Sequence, residues 1–146
     1  DYVLHFEELN LSVLLEQIVA THPEHKRLKT EIQQGIKMQA DKLAFTSIII
    51  NLLENALKYS EQNVVVKLQS DKNNVFSIID TGFGIPDEEK QKVFEKFYRI
   101  GNEDTRKSKG TGLGLYIVKN LVERHNGTIK IRDNQPKGSI FEIEFL

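Results

Sequence analysis

From Asp41 onward the apolar residues Phe45, Ile48, Ile49, Leu52, Leu53 and Ala56 recur at intervals of three or four. That spacing is one face of an α-helix. Asp41 can cap the first turn through its side-chain oxygen, so a long helix is expected from there to about Tyr59. The period then changes to two. Val64, Val66 and Leu68 alternate with polar neighbours over 64–69, as a strand with one buried face requires. Asp71-Lys72-Asn73-Asn74 reads as the hairpin turn and 75–79 as the return strand.

The flanking segments follow the same logic. A short strand is expected within 4–11, then a helix over roughly 13–21 capped by Asn10 or Ser12. His22-Pro23 ends that helix, because a residue before proline is pushed out of the helical region. Residues 28–33 and 36–39 read as two short strands about a turn at Gly35. Asp87-Glu88-Glu89 places acids at the start of another helix, with Val93, Phe94 and Phe97 pointing inward. The stretch 100–109 is polar, charged and without period, and is read as a mobile loop. A helix over about 113–125 is closed by Asn126-Gly127 as its C-cap. Strands at 128–132 and 139–145 form a last hairpin about Pro136-Lys137-Gly138. These elements predict an α/β two-layer sandwich: a mixed, mostly antiparallel sheet with three main helices on one face.

At 146 residues the chain fits one domain with one core. A net charge of -1 points to neither nucleic acid nor a membrane surface as a partner. The absence of cysteine excludes disulfides, thiol catalysis and cysteine-ligated metal. The apolar run at 48–53 is far shorter than the roughly 20 residues of a membrane span. The opening Asp1-Tyr2 reads as the start of an excised fragment.

Three groups of residues carry chemistry. Asn51 and Asn55, four apart on the long helix, share a face that Lys58 and Tyr59 extend. An amide oxygen is a hard ligand that magnesium can share with phosphates, and Lys58 adds a cation. Asp80 ends a strand and leads into Thr81-Gly82-Phe83-Gly84. Its carboxylate can accept a hydrogen bond from the amino group of adenine, which guanine does not offer there, while the glycines permit close approach and positive φ. Gly110-Thr111-Gly112-Leu113-Gly114-Leu115 stands where a loop enters a helix, and unpaired N–H groups at a helix start bind anions. It lacks the spacing and the lysine-serine ending of a P-loop. Between the last two groups, Phe94, Phe97 and Tyr98 would anchor a lid, Arg99 could reach phosphates, and Arg106, Lys107 and Lys109 make the lid basic. Taken singly, each group has a plainer reading: two amides on a helix surface, a loop after a strand, glycines that let helices pack, a solvated charge run.

In this order the groups resemble the ATP-binding domain of sensor histidine kinases, within the wider family shared with DNA gyrase, mismatch-repair ATPases and an ATP-dependent chaperone. The resemblance runs from about residue 9 to residue 146. It implies the Bergerat ATP-binding fold, with Asn55 as the magnesium ligand, Asp80 as the adenine contact, and Gly84 and Ile85 lining the base pocket. The implied nucleotide site further takes in Asn51, Lys58, Tyr59, Gly82, Tyr98, Arg99, Lys109, Gly110, Thr111, Gly112, Leu113, Gly114 and Leu115. The implied chemistry is phosphoryl transfer from Mg-ATP to a histidine on a separate dimerisation domain, and thence to a response regulator. The implied setting is the cytoplasmic side of a bacterial sensor anchored in the inner membrane.

The family's acceptor motif, close to Ser-His-Glu-Leu-Arg, is absent, and His5, His22, His25 and His125 match no part of it. This chain is therefore expected to bind nucleotide without phosphorylating itself. Pro23 breaks the helix that would aim His22 and His25 together, so no metal is expected there. His125 falls at a helix C-terminus, where a partly cationic ring is favourable. In the gyrase-like relatives a glutamate four residues before the metal-binding asparagine activates water; here that place holds Asn51, an amide without basicity. Poor ATP hydrolysis follows. Glu54, about 100° around the helix from Asn55, is a poor substitute. The competing readings are a serine-phosphorylating relative acting on an anti-sigma partner, a degenerate nucleotide-binding scaffold, and a gyrase-like ATPase.

Overall fold

The computed structural model describes residues 2–98 and 114–146. The main sheet has five strands: β2 (Leu28–Ile32), β4 (Val64–Ser70), β5 (Asn74–Ile79), β6 (Gly127–Asp133) and β7 (Ser139–Phe145). Their order is β2-β4-β5-β7-β6, with β2 parallel to β4 and the other pairings antiparallel. Two further strands, β1 (Glu7–Asn10) and β3 (Lys37–Ala40), pair antiparallel in a small sheet of their own. The helices are α1 (Leu11–Thr21), α2 (Lys42–Tyr59) and α3 (Gly114–Arg124).

The periods read from the sequence account for the layers. The stripe Phe45, Ile48, Ile49, Leu52, Leu53 and Ala56 on α2 is almost wholly buried. It shares one apolar core with Val64, Val66 and Leu68 of β4, Phe76 and Ile78 of β5, and Phe141, Ile143 and Phe145 of β7. Each such side chain contributes roughly 1.5–3 kcal/mol on burial. Caps close the helix ends as expected: Asn10 Oδ1 accepts from Val13 N at 3.0 Å, and Asp41 Oδ1 accepts from Ala44 N at 2.8 Å. His22 leaves the helical region at φ -70, ψ 138.

Two expectations are corrected, the helix after Asp87 and the inward Phe97. Gly35 turns as expected, at φ +77, and the strands on either side of it join different sheets. Ser12 holds that split open, donating to Gln33 O at 2.6 Å and accepting from Ile36 N at 3.1 Å. After Asp87 there is no continuous helix, only one-turn 3₁₀ segments at Asp87–Glu89 and Lys92–Phe94. Glu95 then adopts an extended ψ of 146, so the inward face ends with Val93 and Phe94. Phe97, expected inside, is 63% exposed and has φ 67. At the end of α3 it is Asn126, at φ 60, that takes the left-handed conformation. Gly127 already belongs to β6, where a Cβ would stand 2.7 Å from the Phe145 ring.

Candidate functional site

Asn51, Asn55 and Tyr59 lie half-buried along one stripe of α2, with Lys58 exposed beside them. The two asparagines differ in their bonding. Asn51 Nδ2 donates to Ser47 O at 2.8 Å and to Ser47 Oγ at 3.1 Å, which turns its amide back onto its own helix. The Asn55 side chain makes no hydrogen bond among the described residues, so its oxygen is available to a ligand. Lys58 Nζ lies 5.5 Å from the Tyr59 ring centroid. Glu54 faces the other way, with Oε1 2.7 Å from His22 Nε2.

Asp80 is buried at 4% exposure. Its Oδ1 accepts from Gly82 N at 2.9 Å and from Ser139 N at 3.2 Å. Burial pushes its pKa above the ordinary carboxylate value, against the opposing pull of those two N–H groups. Next to it, Thr81 Oγ1 is buried without a hydrogen-bond partner among the described residues. A buried hydroxyl so left costs free energy unless something arrives to meet it.

Close backbone approaches bring these groups together. A Cβ on Gly82 would lie 2.1 Å from the carbonyl oxygen of Tyr59, so the end of α2 rests directly on the Asp80 loop. A Cβ on Gly138 would lie 2.0 Å from Asp80 O. A Cβ on Gly114 would lie 3.1 Å from Asn51 Oδ1, which sets the start of α3 against the asparagine face. Gly84 has φ +78 in the same loop, and Ile85 and Leu115 pack partly buried against the core. Tyr98 also packs there and donates its hydroxyl to Glu89, a bond that, with burial, raises the phenol above its ordinary pKa. Arg99, Lys109, Gly110, Thr111, Gly112 and Leu113, with the basic stretch between them, lie outside the described residues.

Sequence reasoning missed several contributors. Ser139 and Gly138 sit behind Asp80, and Asn134 Nδ2 donates to Asp80 O at 2.8 Å. Ser47 fixes Asn51. None belongs to a motif; the glycine in a turn was the only available signal. His125 has its Nδ1 2.7 Å from Leu121 O, and its Nε2 accepts from Asp41 N at 3.1 Å. His22 is likewise occupied at both nitrogens, Nδ1 accepting from Glu24 N at 2.9 Å.

A cavity of about 680 Å³ opens between α2 and α3, lined by Leu43, Ser47, Lys96, Tyr116, Ile117 and Arg124 among others. It contains none of the site residues expected from the sequence.

Residues 40–146 match the family described as "Histidine kinase-, DNA gyrase B-, and HSP90-like ATPase". The chain is 37% identical over 107 residues to the sensor protein CiaH of Streptococcus pneumoniae, across 71% of this chain and 24% of CiaH. It is 36% identical over 152 residues to the circadian input-output histidine kinase CikA of Synechococcus elongatus, across 96% of this chain and 20% of CikA. The chain thus spans a quarter or less of the length of these curated relatives. Among solved structures, a mycobacterial sensor histidine kinase, MprB, matches with a TM-score of 0.81 at 26% identity, covering 97% of both chains. The catalytic domain of the histidine kinase ThkA matches at 0.78 with 26% identity, covering 97% of this chain and 95% of that one.

Proposed function

The chain belongs to the family of histidine kinase-, DNA gyrase B- and HSP90-like ATPases, and from that premise we propose that it binds Mg-ATP and delivers the γ-phosphate to a histidine on a separate dimerisation domain. One observation carries the reading: the backbone contact of Gly82 with Tyr59, and that of Gly114 with the Asn51 side chain, bring the asparagine face, the Asp80 loop and the start of α3 to one place.

In this reading Asp80 reads adenine. Its Oδ1 is committed to Gly82 and Ser139, which leaves Oδ2 to accept from the exocyclic amino group. The orphan hydroxyl of Thr81 supplies a further polar contact at the base. Gly84 and Ile85 form the wall. Gly114 and Leu115 begin the helix that receives the phosphates, with Tyr59, Lys58 and Tyr98 assigned to the same site; Arg99, Lys109, Gly110, Thr111, Gly112 and Leu113, outside the described residues, are assigned to the nucleotide by the family resemblance alone.

The residues present fit a magnesium ion. The described residues contain no group of three His, Cys, Asp or Glu able to hold a metal by themselves. A single neutral amide oxygen from Asn55 is what a metal needs when phosphates and waters supply its other ligands. Bound there, the ion would neutralise charge on the triphosphate during transfer.

Neither Asn51 nor Glu54 offers a base for hydrolysis. Asn51 is an amide tied to Ser47, and Glu54 is engaged with His22. His22 and His125 are buried with both ring nitrogens occupied, and no histidine of the chain stands in the family's acceptor motif. That domain, a downstream response regulator and a membrane-anchored bacterial parent complete the proposal. No helix among the described residues is itself long and apolar enough to cross a membrane.

The test supplies a histidine-bearing dimerisation domain from a sensor kinase together with γ-labelled ATP. Label on the acceptor, with little free phosphate, is the expected result. Steady phosphate release without transfer would overturn the kinase reading in favour of an ATPase.

A further inference from the structure

We infer that Lys90 is a positioning residue for the adenine pocket, clamping the far end of the Asp80 loop to the turn that follows β6. The inference rests on the nucleotide reading above and concerns a residue outside that site.

Lys90 Nζ donates to the carbonyl of Ile85 at 3.0 Å, lies 2.9 Å from Asp133 Oδ1, and bonds Asp87. Three acceptors for three ammonium protons leave the group fully used. The side chain is only 17% exposed, whereas Asp87 and Asp133 are 88% and 59% exposed. The lysine is thus the enclosed member, held between a pocket wall and a strand end. Asp133 is the last residue of β6, and its neighbour Asn134 donates to Asp80 O at 2.8 Å. One turn therefore grips the loop at both ends: at Asp80 through Asn134, and at Ile85 through Asp133 and Lys90. Gly138, in the same turn, lets the two backbones meet. A loop held this way is ordered before the base arrives, so the ligand does not bear the cost of ordering it.

The effect should fall on the base and be indifferent to the phosphates. Lys90→Met keeps the apolar stem and removes all three bonds. We expect it to weaken ATP and ADP by the same factor, about tenfold, with and without magnesium, while the melting temperature stays within about 3 °C. Asp133→Asn should weaken both nucleotides in the same direction, the double variant should be no worse than Lys90→Met alone, and Lys90→Arg should restore most of the affinity. A loss confined to ATP would mean that Lys90 acts on the terminal phosphate and would overturn the inference. Unchanged affinity in Lys90→Met, or additive effects in the double variant, would overturn it too. If the unaltered chain bound no adenine nucleotide, the nucleotide reading would fall and take this inference with it; normal binding with an unaffected Lys90→Met removes this inference alone.

Discussion

The carbonyl oxygen of Tyr59 lies 2.1 Å from the point where a Cβ on Gly82 would stand. No side chain can shift to relieve such a contact, because both partners are backbone. This closeness puts the last turn of α2, with its asparagine face, beside the carboxylate of Asp80.

Gly82→Ala should therefore separate the loop from the helix. We expect a loss of about 2–3 kcal/mol in chemical denaturation, with nucleotide affinity lost as well. Gly114→Ala is the control: there a Cβ meets Asn51 Oδ1 at 3.1 Å, a side-chain atom with some room to give, and the cost should stay below about 1 kcal/mol.

Asp80→Asn tests base reading. The variant can still accept from Gly82 and Ser139, but it presents an amide N–H to the adenine amino group, donor against donor. ATP affinity should fall about a hundredfold by calorimetry. Because burial raises the Asp80 pKa, the ionised acceptor is lost, as pH falls, at a pH above the ordinary 3.8. Binding by the unaltered chain should weaken on acidification through that raised value, while the variant's residual binding stays flat. The sign for stability is opposite: the folded state holds the proton more tightly, so stability declines as pH rises from 3.8 to the raised pKa. The variant should accordingly be no less stable than the parent at neutral pH.

Much of the fold, and the residues nominated for the candidate site, were legible because the signals are local. The α2 stripe, the alternation of β4, and the caps Asn10 and Asp41 each depend on residues within a turn or two of one another. What escaped depends on distant partners. β2 pairs in parallel with β4, and nothing in the pattern of 28–33 names Val64–Ser70 as its neighbour. His125 is held by an N–H 84 positions away, that of Asp41, which donates to its Nε2. Phe97 faces solvent because the backbone of Glu95 leaves the helical region, which apolar spacing alone does not reveal.

Asp41 should govern the acid limb of unfolding. Burial raises its pKa, but the N–H groups of His5 and Ala44, the Tyr2 hydroxyl and the nearby His125 outweigh it, and the net direction is downward from 3.8. A lowered carboxylate contributes stability that is complete above its unfolded pKa and is lost as pH falls from there through the folded value. Asp41→Asn should flatten the stability curve in that window below about pH 4. At neutral pH it should cost about 1 kcal/mol through the weakened cap. An unchanged acid limb would show that other carboxylates control it.

Glu54 should be dispensable for chemistry. Its Oε1 is 2.7 Å from His22 Nε2, and its side chain is 63% exposed. Glu54→Ala should change phosphotransfer to a supplied acceptor by less than about twofold and lower stability by no more than about 1 kcal/mol. A fall of a hundredfold or more in either transfer or hydrolysis would make this carboxylate a general base and reopen the ATPase reading.

The two asparagines of α2 give the sharpest test of the metal assignment, because they share a residue type, a helix face and a degree of burial but not a bonding state. Asn51 has its amide nitrogen on Ser47 and its oxygen toward Gly114, whereas Asn55 makes no side-chain hydrogen bond among the described residues. Only the second is free to give an oxygen to a cation without breaking something first. ATP affinity measured with magnesium and with chelator should differ by at least about tenfold in the unaltered chain. Asn55→Ala should abolish that difference, leaving one weak affinity under both conditions. Asn51→Ala should keep the magnesium response while loosening the contact between α2 and the start of α3. If Asn51→Ala lost the response and Asn55→Ala kept it, the ligand would be Asn51 and its bond to Ser47 would have to break on metal binding. If both variants kept it, the cation would be held by the phosphates without either amide.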